Sequence, residues 1–171
     1  PGDYLPRTNY SPACEEAEYR RRTPEVPWDT GKVVSDFYRL AFRRQLSQSG
    51  ERTMIPVLLP KAVGHVHLVN SFVFREVSQQ VALSGFYASL PADFMTKTTG
   101  KGDLYDSVLR QFPAPKFEAA VAVRALALNC LTTHYTELWS ECWDETFRKE
   151  TWLGNDPRLD AEFWRKLTPE W

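Results

Sequence analysis

The side chains whose types and spacing could act together are mostly basic. Arg39 and Arg43 share one side of an alternating segment, and Arg52 closes the hairpin that follows. Lys61, His65 and His67 lie in the next stretch, while Lys97 and Lys101 flank Thr98 and Thr99 in a second polar segment. Arginine presents a planar fork that grips guanine or phosphate through two bonds, and Lys, Thr and Asn make point contacts, so the set suits a surface that reads a duplex. The same pattern also reads as the solvated face of a one-sided sheet.

Other chemistries lack their residues. The sequence holds no GxGxxG, no phosphate loop, no GxSxG and no HExxH. Cys14, Cys130 and Cys142 lack metal-ligand spacing; an odd number at wide spacing points to thiols in a reducing compartment rather than a disulfide scaffold. His65 and His67 face one side of a strand without a third ligand nearby, so no metal site is expected. His134, among Leu131, Tyr135 and Leu138, reads as a packing histidine. Glu15-Glu16 and Asp144-Glu145 are adjacent rather than convergent, as on a wet surface. No self-contained catalytic site is expected.

The formal charge of −1 conceals a segregation along the chain. Residues 1–31 hold 4 basic and 6 acidic side chains, residues 32–116 hold 11 and 6, and residues 117–171 hold 6 and 10. A basic centre between acidic flanks is what a polyanion-binding face on a neutral scaffold would give. The run Arg20-Arg21-Arg22 beside Glu15, Glu16 and Glu18 reads either as a solvated charge run or as a phosphate contact.

These residues need elements to hold them. With 43% hydrophobic and 25% charged residues, and 6 Trp, 7 Tyr and 10 Phe, the 171-residue chain has ordinary globular composition and cannot stay disordered over most of its length. No apolar run approaches the roughly 20 residues of a membrane span. Residues 1–34, with Pro6, Pro12, Pro24 and Pro27, read as an extended arm pinned by Tyr4, Tyr10, Tyr19 and Trp28. Residues 35–116 read as a sheet-and-helix unit. In it Tyr38, Leu40 and Phe42 oppose Arg39, Ala41 and Arg43, the period of a strand. Residues 53–59 (TMIPVLL) return antiparallel, with Pro56 demoting that strand to an edge or placing a bulge there, and residues 65–74 form a third strand. A helix follows from Val77 towards Phe94, kinked or restarted at Pro91; residues 96–102 read as a loop, and Asp103 as the cap of a short helix. Residues 117–171 read as helical, with one long helix from Glu118 to about Leu153 and a short one from about Asp160. The expected fold class is α+β: a small antiparallel sheet, a hairpin plus a third strand, followed by a mostly helical body. The start at Pro1-Gly2-Asp3 without Met, and the unfinished ending, suggest one compact domain cut from a longer protein.

Residues 39–74 (RLAFRRQLSQSGERTMIPVLLPKAVGHVHLVNSFVF) resemble the start of the target-recognition region of large adenine-specific DNA methyltransferases from restriction–modification and phage-defence systems. The likeness lies in an arginine-bearing strand, an ERT-hydrophobic-Ile hairpin, a proline step and a strand containing His, Asn and Ser. Residues 81–115 (VALSGFYASLPADFMTKTTGKGDLYDSVLRQFPAP) resemble that family's leucine-rich helix, variable polar loop and proline-rich ending, and residues 124–139 (RALALNCLTTHYTELW) the helix after it. The resemblance implies a bacterial cytoplasmic module that binds double-stranded DNA and packs on its parent's methyltransferase domain. It implies no cofactor in this piece, with S-adenosylmethionine held by the catalytic domain elsewhere. The family's Asn-Pro-Pro-Tyr-type motif is absent here, since Leu59-Pro60 and Ala114-Pro115 have no Asn before them. The DNA-binding candidates are therefore Arg39, Arg43, Arg52, Lys61, His67, Lys97, Thr98, Thr99 and Lys101. Within the family pattern Arg52 and Thr53 also read as structural, and residues 97–101 as the specificity loop. The competing reading is an interaction or scaffold module whose Trp139, Trp143, Trp152 and Trp164 pack on a partner.

Overall fold

A computed structural model describes residues 2–4 and 11–170; Pro6, Tyr10 and the final Trp lie outside the described residues. Three strands, β1 (Arg39–Arg43), β2 (Pro56–Leu59) and β3 (Val69–Phe72), form an antiparallel sheet in the order β2-β1-β3. Among the described residues six α-helices accompany it: α1 (Glu16–Arg22), α2 (Val77–Tyr87), α3 (Leu90–Thr98), α4 (Asp106–Leu109), α5 (Ala119–Asn129) and α6 (Thr136–Glu141). The α+β class read from the sequence is the observed one.

The ladder hydrogen bonds of β1 alternate between its two neighbours. Arg43 donates its backbone N–H to Ile55, and Arg44 donates to Leu68. With the registers Ala41↔Val57 and Phe42↔Asn70, odd-numbered residues of β1 therefore bond to β2 and even-numbered ones to β3. On β2 the backbone of Pro56 and Leu58 then faces outward. Pro56 has no N–H to satisfy, the Leu58 N–H donates to Asn129 Oδ1 at 2.9 Å, and the Leu58 carbonyl accepts from the Tyr135 hydroxyl at 2.8 Å. That edge is closed by a proline and two side chains, as Pro56 predicted. On β3 it is Val69 and Ser71 that turn outward; the Val69 N–H donates to the Val66 carbonyl at 3.0 Å, and among the described residues no further strand pairs with this edge.

The core lies on the face of Tyr38, Leu40 and Phe42, all buried, against α2 and α5. The two helices pack so closely that a Cβ on Gly85 would stand 2.4 Å from the Val121 side chain. Trp139 and Trp164, 5% and 2% exposed, belong to this same core; Trp143 and Trp152 pack against it, half-buried. Trp139 and Trp164 therefore fill the interior, with Trp143 and Trp152 at its margin.

Four expectations are corrected. The arm is not wholly extended: residues 16–22 are helical, and Val26 and Val33, both buried, anchor it through a Glu25↔Val33 bridge. Tyr4 is exposed, and Tyr19, though 37% exposed, lies against Gly64. Residues 96–98 continue α3 rather than forming loop, because Ser89 caps the helix, accepting from the Ala92 N–H, and Pro91 suits its first turn. The cap of α4 is Tyr105, not Asp103, which instead bridges to Gln45. The long helix is broken into α5, α6 and 3-10 turns, because Cys130 leaves helical geometry and the chain is drawn aside by tertiary bonds. Thr133 donates to the Gly2 carbonyl, and the His134 carbonyl accepts from the Tyr38 hydroxyl at 2.9 Å. Among the described residues no helix is long and apolar enough to cross a membrane.

Candidate nucleic-acid interface

The strongest gathering of cations surrounds the end of β1. Beyond Arg43 the chain continues in extended form, and residues 44–46 pair with residues 102–104. Leu104 donates to the Arg44 carbonyl at 2.7 Å, Leu46 donates to Gly102 at 2.9 Å, and the Gln48 side chain donates to the Lys101 carbonyl at 2.7 Å. This stitching carries the loop bearing Lys101 to the end of the strand bearing Arg43. A shallow hollow of about 520 Å3 opens there, lined by Arg43, Gln45, Ser47 and Gly102. Arg43 and Lys101 are exposed.

Arg44 organises the neighbouring surface. It donates to the Tyr105 hydroxyl at 2.8 Å, lies 5.1 Å over the Tyr105 ring, approaches Asp103 at 3.4 Å, and meets the His67 ring. Its side chain is 18% exposed, while half of Tyr105 faces solvent. Three cations against Asp103 leave this end positive, with a flat aromatic ring beside it, a combination suited to phosphate and to bases.

The structure sets Arg43 in a hollow beside Gly102, the neighbour of Lys101, and sets His67 against Arg44, and it places the other candidates in different work. Arg39 is a correction: it was expected on a wet face but is 4% exposed, with its guanidinium donating to the Val63 carbonyl. Alternation correctly put Arg39 opposite Leu40; α1 and the segment around Gly64 then cover that second face. Lys61 pairs with Glu137 and lies 5.2 Å from the Tyr38 ring, in a separate group of contacts. Thr98 and Thr99 turn their hydroxyls onto the Met95 and Thr96 carbonyls at 2.7 Å.

Arg52 and Lys97 converge on Asp93, a carboxylate only 6% exposed. Asp93 Oδ1 accepts the backbone N–H groups of Thr53 and Met54, both at 2.7 Å, with Arg52 at 3.6 Å and Lys97 at 3.7 Å. Lys97 also donates to the Gly50 and Glu51 carbonyls, and Arg52 to Ala88 at 2.7 Å. Burial raises the pKa of this carboxyl, but the two N–H donors and two cations outweigh it and hold it below the ordinary range. Arg52 and Lys97 thus pin the loop between β1 and β2 onto α3, and the structural reading of Arg52 and Thr53 has a physical basis. The Arg20 run is likewise paired within the chain: Arg20 forks onto Asp36 at 2.7 and 2.8 Å, and Arg21 and Arg22 hold Glu18.

Sequence reasoning missed Arg44, Tyr105 and Asp93. The Arg43-Arg44 doublet was the available signal for the first, because a strand ending at Arg43 releases its successor from the core face. Tyr105 followed a basic glycine-rich stretch, which is where an exposed aromatic would stack. Asp93 gave no signal, since a helical acid four residues before a lysine is usually a surface pair. Among the described residues no group of three or more His, Cys, Asp or Glu could hold a metal ion. No protein-family model, no curated protein and no solved structure matches the chain.

Proposed function

We propose that this chain is a DNA target-recognition module of an adenine-specific DNA methyltransferase from a restriction–modification or phage-defence system. The observation that carries the reading is the convergence of Arg43, Arg44 and Lys101 on one end of the sheet. It falls within the stretch, residues 39–139, whose motifs resemble that family. Arg43 and Lys101 meet the duplex as phosphate or base contacts. Arg44, tied to Tyr105, His67 and Asp103, holds that surface in shape. The module keeps the duplex in register while a catalytic domain elsewhere extrudes the adenine, a step that costs a few kcal/mol.

S-adenosylmethionine does not fit the described residues. The sheet is antiparallel throughout, and no glycine-rich turn leads from a strand into a helix as a nucleotide-type cofactor site requires. The cofactor belongs, on this reading, to the parent's catalytic domain.

Fluorescence anisotropy with a labelled duplex tests the assignment. Affinity should fall linearly on a plot of log K against log salt, and Arg43→Ala with Lys101→Ala should flatten that slope by about 2, close to one unit per lost phosphate contact. Absence of duplex binding at low salt, or an unchanged slope in the double variant, overturns it.

A further inference from the structure

A second feature adjoins this end, with Tyr105 common to both. An open cleft of about 690 Å3 runs along the full outer edge of β3, with residues 69–73 as one wall, Tyr19, Arg22, Thr23 and Pro24 as the other, and Arg39 in its floor. The edge offers the Val69 carbonyl and both backbone groups of Ser71, the Val69 N–H being held by the Val66 carbonyl at 3.0 Å, whereas the equivalent groups of β2 are closed by Pro56, Asn129 and Tyr135. At about 3.3 Å per residue, four residues present an edge about 13 Å long.

Arg39 supplies the second observation. It is a 96%-buried cation, being 4% exposed; among the described residues its guanidinium has no carboxylate partner, donates to the Val63 carbonyl, and leaves its Nε buried without a partner. Burial pushes its pKa below the ordinary value, as expected of a guanidinium lacking a counter-charge. Arg39 and Ser71 lie on the same face of the sheet, because Ser71 is opposite Ala41. The rest of the cleft is also short of acid: Arg22 is held only by Glu18, and the one acidic lining residue, Asp106, is occupied by Arg110 at 2.9 and 3.0 Å. His65 closes the rim, bonded to the Ser71 hydroxyl at 2.7 Å.

We infer that this cleft receives an extended acidic peptide, which pairs with the outer edge of β3 as a fourth strand and sets a carboxylate on Arg39. Backbone pairing supplies the docking, and the buried guanidinium selects the acid. The inference does not rest on the DNA reading, since it uses neither Arg43, Arg44 nor Lys101, although Tyr105 borders both surfaces.

The test titrates the intact protein, observed by amide NMR, with a short capped peptide of alternating Val and Thr carrying a central Glu. Three competitors accompany it: the same peptide with Gln for Glu, the Glu peptide methylated at alternate backbone nitrogens, and a short DNA duplex. The Glu peptide should shift the amides of residues 69–73 and bind at least about tenfold tighter than the Gln peptide, the scale of one charged hydrogen bond. The methylated peptide, unable to pair, should leave those amides unmoved. Arg39→Gln should remove the preference for Glu. Because the peptide variants leave the protein untouched, the result survives should that substitution fail to fold. No shift at β3, equal binding of the Glu and Gln peptides, or displacement of the peptide by duplex from those same amides overturns the inference.

Discussion

Replacing Asp93 with Ala would remove the carboxylate that holds the loop between β1 and β2 onto α3. Two buried backbone donors, the N–H groups of Thr53 and Met54, would lose acceptors at 2.7 Å, and Arg52 and Lys97 would lose their shared counter-charge. Charged hydrogen bonds contribute about 1.5–3 kcal/mol each, and breaking a buried pair from one side costs about 3–5 kcal/mol, so the two routes agree on about 4 kcal/mol. For a chain of this size that lowers Tm by roughly 10 °C. Asp93→Asn keeps an oxygen for both donors and loses only attraction to two cations that are each one-third exposed, so it should cost about 1–2 kcal/mol. Urea unfolding with a constant m-value would measure both. The pH dependence has a defined sign. Because the folded pKa is lowered, the stabilisation is complete above the unfolded value of about 3.9 and is lost as pH falls through the folded value. A loss under about 1 kcal/mol for Ala, or equal losses for Ala and Asn, would refute the assignment of Asp93 as an anchor.

Burial pushes the Cys130 and Cys142 thiols up to about 12, so iodoacetamide should label Cys14 in the native protein and reach the other two only after denaturation, as read by mass spectrometry. Trp164→Ala should cost about 3–5 kcal/mol by calorimetry, whereas Trp164→Phe should cost far less. The indole N–H of Trp164 is buried without a partner, and phenylalanine removes it while keeping most of the packing. The Arg20 fork, with help from the Val33 N–H, holds the Asp36 carboxyl down at about 2, and its carboxyl resonance should titrate there rather than near 3.9. Its contribution to stability is present above the unfolded value and lost between that value and about 2.

The sheet was legible because hydrophobic alternation reports which side chains share a face. Tyr38, Leu40 and Phe42 lie together in the core, and Pro56 lies on an edge. Alternation does not report whether the second face is covered, and that is why Arg39 reads as wet. Its cover comes from Tyr19 in α1 and from the turn at Gly64, which approach so closely that a Cβ on Gly64 would meet the Tyr19 hydroxyl at 2.6 Å. Local composition misled at residues 96–98, where Thr and Lys suggest a loop; the Ser89 cap and Lys97–Asp93 spacing favour helix there, and residues 99–102 are non-helical as expected. The long helix failed for a different reason, since the bonds that turn the chain at Thr133 and His134 run to Gly2 and Tyr38, far away in sequence. At the candidate interface the positive end of the sheet was visible as Arg43, His67 and Lys101. Its organiser was not, because Arg44 acts through Tyr105, a contact across 61 residues.

The closure of β2 has a consequence during synthesis. Its two sealing side chains follow Leu58 by 71 and 77 residues, so a ribosome adding about 5–20 residues per second leaves that strand unsealed for roughly 4–15 s. Through that interval a nascent hairpin would offer its outer edge to any neighbouring chain. Pro56 alone is in place from the start, and by withholding one donor it makes the edge a poor template until the second half of the protein arrives.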